Sequence, residues 1–129
     1  MWNAEWKGTK CGAMNVLLNR TRKFALDVIR LTEALPRSRS ADVIARQLVR
    51  SGTSVGANYR AACRARSRAE FVAKLGIVEE EADESAFWID LLVGSGFVSE
   101  HAVAHLSAEA DELVALTVAS IRTARANRG

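Results

Sequence analysis

The sequence predicts an all-α protein, an antiparallel up-down four-helix bundle, and three observations carry that prediction. The 129 residues hold one proline, Pro36, and are rich in Ala, Leu, Arg and Glu, all good helix formers. Four segments place apolar residues at three- and four-residue steps, the period of a helix buried on one face. Short stretches carrying serines, a proline or glycines separate these segments, so that each helix turns back on the one before. The length suits one domain with one core, and a hydrophobic content of 49% excludes an ordinary disordered chain.

The helices are expected at roughly 15–35, 41–64, 68–93 and 100–126, giving a bundle domain over 15–126. Residues 1–14 contain Trp2, Trp6, Gly8 and Gly12 without a clear period, and are expected as an N-terminal arm or disordered tail. Met14 is an alternative start, which the intact mass of the natively expressed protein decides. The first helix places Leu17, Phe24, Val28, Leu31 and Leu35 on one face, and Pro36 ends it by disfavouring the helical region for the residue before it. Ser40 is the expected N-cap of the second helix, with Asp42 in its positive first turn. Its seam is Ile44, Leu48, Ser51, Val55, Asn58 and Ala62. Ser67-Arg-Ala-Glu70 reads as a capping box that starts the third helix. Phe71, Leu75, Val78, Ala82, Ser85, Ile89 and Leu92 line that helix, and Gly94 and Gly96 stop it. Ser99 caps the fourth, whose inner face is Val103, Leu106, Ala110, Leu113, Thr117 and Ile121, with Arg122 and Arg125 near its negative end.

Polar residues edge these seams. Gln47, Ser51, Ser54 and Asn58 on the second helix, with Glu81 and Ser85 on the third, are candidates for a polar network that fixes register between the two. The alternative is a set of small, half-exposed positions. Apolar residues also lie off the seams. Ile77, Phe87, Trp88 and Leu91 on the third helix, and Gly52, Gly56, Tyr59 and Cys63 on the second, exceed what one seam buries. Such coverage fits a second copy of the chain, with Gly52, Gly56, Tyr59, Ile77, Phe87, Trp88 and Leu91 as an oligomer interface. Packing between neighbouring helices of one bundle is the competing reading.

The net charge of +3 conceals a partition. Residues 37–68 contain eight arginines and one acid, whereas residues 69–112 contain eleven acids and one lysine. Arg46, Arg50, Arg60 and Arg64 fall on one stripe opposite the seam of the second helix. The stripe is either a solvated face paired with acids such as Glu79, Glu80, Asp83 and Glu84, or a surface that contacts RNA or DNA phosphates. Aromatics for stacking bases are scarce beside it, so any such binding leans on phosphates rather than sequence.

Motifs for catalysis are missing. Gly52-Thr-Ser-Val-Gly56 lacks the Gly-Lys-Ser/Thr ending of a P-loop, and no Gly-x-Ser-x-Gly elbow occurs. His101 and His105 share a helix face, but Ala102 follows the first, so the zinc-protease pattern is absent. Inward carboxylates of di-iron bundles need Glu-x-x-His, which the chain lacks. Cys11 and Cys63 read as separate thiols. The expectation is therefore a protein with no enzymatic activity, cofactor, metal or small-molecule substrate. Without an apolar run of membrane-spanning or signal-peptide type, a cytoplasmic location is expected.

The segment from Arg46 to Arg60, Arg-Gln-Leu-Val-Arg-Ser-Gly-Thr-Ser-Val-Gly-Ala-Asn-Tyr-Arg, is followed by Ala69-Glu-Phe71 and by Leu75-Gly-Ile-Val-Glu-Glu-Glu-Ala-Asp-Glu-Ser85. Together with Phe24-Ala-Leu and Leu35-Pro36, it resembles the bacterial four helix bundle protein family, first noticed as reading frames in intervening sequences of large-subunit ribosomal RNA genes. The resemblance spans roughly residues 15–125. It implies an up-down bundle assembled as a homopentamer, with no established enzymatic activity. A related branch, the accessory protein of diversity-generating retroelements, implies an adaptor that binds RNA and a protein partner. The motif residues Arg50, Ser51, Ser54, Asn58, Phe71 and Glu81 are expected to be structural. Two functions follow as expectations: an oligomeric adaptor that contacts RNA or a nucleoprotein through the arginine stripe, or a protein-interaction module whose arginines form ion pairs between subunits.

Overall fold

A computed structural model of the chain describes residues 4–127, with side chains from Val16 onward. Four helices follow one another: α1 (Ala4–Glu33), α2 (Arg39–Cys63), α3 (Arg68–Gly94) and α4 (Glu100–Ala126). No strand occurs among the described residues. α2 packs against α1 and α3, α3 against α4, and a shorter α1–α4 seam closes the bundle.

Helix α1 begins earlier than its apolar period suggests. The expected arm is helical from Ala4 onward, while residues 1–3 lie outside the described residues. Gly8 and Gly12 each disfavour a helix by roughly 1 kcal/mol. Ala4, Glu5, Lys7, Lys10 and Ala13 are strong helix formers, however, and extending an existing helix needs no new nucleus. At its other end α1 stops at Glu33, two residues before the expected Leu35. Pro36 pushes Leu35 out of helical geometry, and the last turn tightens, with bonds from Ala34 N–H to the Leu31 carbonyl and from Leu35 N–H to the Thr32 carbonyl.

The cap of α2 is Ser38 rather than Ser40. Ser38 has extended backbone, and its hydroxyl accepts from Ala41 N–H at 3.1 Å. Ser40 is already the second residue of the helix, with helical backbone, and so cannot occupy the extended cap position. Ser67 caps α3 by accepting from Glu70 N–H at 3.1 Å. The return bond of this capping box reaches one residue further back, from Arg66 N–H to Glu70 Oε2 at 3.3 Å. Ser99 caps α4 through Ala102 N–H. α3 ends in a Schellman turn: Gly96 takes a positive φ of 79°, its N–H bonds to the Val93 carbonyl, and Phe97 N–H bonds to the Leu92 carbonyl.

All seven stripe residues of α3 and all six of α4 are buried, with Ala124 extending the latter. Phe24 and Val28 of α1 and Leu48 and Val55 of α2 complete the core. Each fully buried leucine or phenylalanine contributes about 2–3 kcal/mol of transfer free energy. In α2, Tyr59 takes the buried place expected of Asn58, which is half-exposed.

The register between α1 and α2 is set by two glycines. A Cβ on Gly52 would lie 2.9 Å from Val28 Cγ2, and one on Gly56 would lie 3.4 Å from the Thr21 carbonyl oxygen. At Gly52 only glycine allows this approach without moving Val28, whereas at Gly56 the helices meet at ordinary van der Waals distance. Of the residues expected at an oligomer interface, Gly52 packs against Val28 of α1 and Tyr59 is buried in the core within one chain, while Gly56 is half-buried beside Thr21 of α1.

Candidate functional site

The outer face of α2 is where the arginine stripe lies, and its two flanks meet different neighbours. On the α3 side, Arg50 Nη1 donates to Glu81 Oε2 at 3.0 Å, and Nη2 bonds to Glu81 Oε1 and Glu84 Oε2. Trp88 Nε1–H donates to the same Glu84 oxygen at 3.0 Å. The Trp88 indole, then Arg50, hold the Glu84 carboxyl below its ordinary value, against partial burial that raises it. Glu81, then Glu84, hold the Arg50 guanidinium above its ordinary value. Arg50 is thereby removed from the basic surface expected of it. Beneath this cluster the Ser51 and Ser85 hydroxyls meet at 2.8 Å, both buried. Each hydroxyl also has a backbone carbonyl within its own helix to donate to, Ser85 that of Glu81 at 2.8 Å and Ser51 that of Leu48 at 3.3 Å, so either serine can supply the proton of the shared bond.

The other candidates for a polar network do not join this link. Asn58 Nδ2 donates to the Ser54 hydroxyl and carbonyl, a contact within α2. The Glu81 carboxylate is taken by Arg50, and Gln47 is half-exposed. Off the seam of α3, Phe87 and Ile77 are 53% and 36% exposed. Leu91 and Trp88 are half-buried against the core, and the Phe87 and Trp88 rings meet edge to face at 5.1 Å.

On the α1 side of α2 the arrangement is different. A groove of about 630 Å³ runs between α1 and α2, where Arg22, Arg60 and Arg64 line it together with the apolar Leu18, Ala25 and Ala57 and the polar Asn19 and Thr53. No acid lines it among the described residues. None of the three arginines forms an ion pair among the described residues, and all three are exposed. Cys63 borders the groove and interacts with Tyr59. Burial, then Cys63, pushes the Tyr59 phenol well above its ordinary range. Arg46 sits apart, beside Arg37 and Asp42 near the α1–α2 turn. The four-arginine stripe thus divides into a paired residue, a groove pair and a distant member.

Two features escape the sequence. Arg22 completes the groove, but only the glycine-set register places it beside Arg60 and Arg64. Arg20 reaches across the short α1–α4 seam to Glu109, with Nε donating at 3.0 Å and Nη2 at 2.6 Å. These partners lie 89 residues apart on helix flanks, where periodicity gives no pairing signal. His101 and His105 are both exposed, and no group of three or more metal-ligating side chains occurs among the described residues. No helix among the described residues is long and apolar enough to cross a membrane.

The structure is similar to the crystal structure of a protein of unknown function from the S23 ribosomal protein family of Bacteroides thetaiotaomicron. The TM-score is 0.79 and the identity 32%, over 84% of this chain and 97% of that one. No curated protein matches the chain. The profile described as 23S rRNA-intervening sequence protein matches residues 15–119. With its four-helix architecture and this match across most of its length, the chain belongs to the 23S rRNA-intervening sequence protein family.

Proposed function

We propose that the protein is a non-enzymatic adaptor, a helical bundle that assembles with copies of itself and contacts RNA through arginines of α2. The observation that carries the reading is the acid-free groove where Arg60 and Arg64 join Arg22. Eleven acids lie between residues 69 and 112, yet none lines this groove among the described residues. Unpaired guanidinium groups are suited to phosphate oxygens, whose geometry their planar fork matches. Exposed Phe87 and Ile77, beside Trp88 and Leu91, support self-assembly through α3. A ring such as the homopentamer implied by family resemblance repeats the groove in every subunit, so weak contacts add.

The test is binding of purified protein to structured RNA across a salt series, with native mass spectrometry of the same sample. Binding that weakens steeply with salt, by an assembled species, is the expected result. Absence of binding at low salt ends the RNA reading.

A second reading has its own support. Arg50 shows that α2 arginines pair with α3 acids, and Glu80 and Asp83 on α3 are exposed. Arg60 and Arg64 could then meet such acids on another copy. Charge reversal at Arg60 and Arg64 separates the two: lost assembly favours ion pairs between subunits, and intact assembly with lost RNA binding favours the adaptor.

A further inference from the structure

We infer that the α1–α2 groove takes an unpaired nucleotide of a single-stranded RNA, with phosphates on its arginines and the base against its apolar lining. The inference rests on the RNA-contact reading above and specifies which form of RNA the site accepts.

Three observations lead to it. The groove is cationic without a competing acid, since Arg22 rises from α1 and Arg60 and Arg64 from α2. The rest of the lining is mostly apolar: Leu18, Ala25 and Ala57 present carbon, beside the polar side chains of Asn19 and Thr53. A surface that only follows a phosphate backbone needs charge alone, whereas a lining that joins charge to apolar surface matches a nucleotide, which is anionic at one end and flat and weakly polar at the other. The size also agrees. The groove of about 630 Å³ falls within the roughly 300–1,000 Å³ of sites that enclose small organic groups.

The same geometry disfavours a duplex. Gly56 brings α2 within van der Waals reach of the α1 backbone at Thr21, so the groove is closed below by the contact of the two helices. A duplex keeps its bases stacked inside and could touch the arginine tips only, leaving the apolar lining unused. An unpaired base can swing out of its strand and enter. No aromatic ring lines the groove among the described residues, so the arginines themselves supply the flat cationic faces on which a base stacks.

The probe is a fluorescently labelled oligouridylate, compared by anisotropy with a labelled RNA duplex of equal length at low salt. The variants are Arg22→Ala, which removes a charge outside the α2 stripe, and Ala57→Leu, which narrows the groove at an exposed lining position without changing charge. Circular dichroism and native mass spectrometry check that each variant folds and assembles as the parent does. The expected result is tighter binding of the oligouridylate than of the duplex. Ala57→Leu should weaken the single strand about tenfold and leave the duplex nearly unchanged. Arg22→Ala should weaken the single strand and lower its log–log salt slope by about 0.7. Equal binding of both RNAs, with Ala57→Leu silent, overturns the inference while leaving phosphate contact intact. No binding of either RNA removes the adaptor reading itself. Binding by dissociated protein but not by the assembled form also overturns the inference, because another copy then covers the groove.

Discussion

Helix α2 meets α1 along one flank and α3 along the other, and the two contacts use opposite chemistry. Toward α1 the contact is made at glycines: Gly52 faces the Val28 side chain, Gly56 faces the Thr21 backbone carbonyl, and no ion pair crosses among the described residues. Toward α3 the contact is polar and layered, with a buried serine pair beneath an arginine held by two glutamates and an indole. Arginines of one stripe therefore meet different fates. Arg50 faces acids and is consumed by the fold, whereas Arg60 and Arg64 face a helix that offers a further arginine. A residue's position on its own helix does not decide whether its charge remains available; the neighbouring helix does.

The largest effect is expected where the glycine contact is broken. Gly52→Leu must displace Val28 or separate α1 from α2, and should destabilise the protein by about 3 kcal/mol in chemical denaturation. Gly76→Ala is its control. A Cβ at Gly76 meets nothing within 4 Å, so the change should stabilise α3 by roughly 1 kcal/mol. A tolerated leucine at residue 52 would break the comparison, because the α1 flank would then not depend on close approach.

The serine layer comes next. Ser85→Ala removes the partner of the buried Ser51 hydroxyl across the interface, leaving it only the longer bond to the Leu48 carbonyl, and should lower stability by about 1 kcal/mol. Adding Ser51→Ala should produce less than the sum of the two single losses, since both remove one shared bond. Full additivity would show that the serines act separately and that the α3 flank has no coupled polar layer.

The smallest effects distinguish the arginines. Arg50→Ala should lower the melting temperature slightly at low salt, and the difference from the parent should shrink as salt rises. Arg60→Ala and Arg64→Ala should leave the melting temperature unchanged at either salt concentration. The Arg50 cluster also carries a pH signature. Glu84 is held below its ordinary carboxylate value, so its contribution is present above that value and is lost as pH falls through the lowered one. Thermal melts across the acid range should therefore fall less steeply for Arg50→Ala than for the parent. Identical profiles would mean that the Arg50–Glu84 contact does not distinguish the folded from the unfolded chain.

Burial periodicity made the fold legible from α2 onward. Every stripe residue named on α3 and α4 is buried because each helix has a core side set by its own spacing. The N-terminal limit of α1 was not legible, because glycines and tryptophans obscured the apolar period of residues that are nonetheless helical. The cap at Ser38 was masked by Ser40, which has the same side chain two residues on. The candidate site was legible only in part. Arg60 and Arg64 could be placed on a face from their spacing, but Arg22 joins them through a register that depends on distances at Gly52 and Gly56. The same glycines resembled a docking surface in the sequence, since a Cβ-free position looks alike whether its neighbour belongs to the same chain or to another.

The short seam between α1 and α4 implies an order of opening. Among the described residues α2 and α3 are each held along two flanks, while α1 and α4 are each held along one and joined to each other by a short seam that carries the Arg20–Glu109 fork. A cooperative unit opens at its least-bonded boundary. The outer helices α1 and α4 are therefore the elements whose amides exchange with solvent first, while α2 and α3 stay protected together. Because α1 forms one wall of the arginine groove, its local opening would dismantle the groove before α2 and α3 loosen. The lifetime of the groove is then set by the detachment of one helix and not by global unfolding.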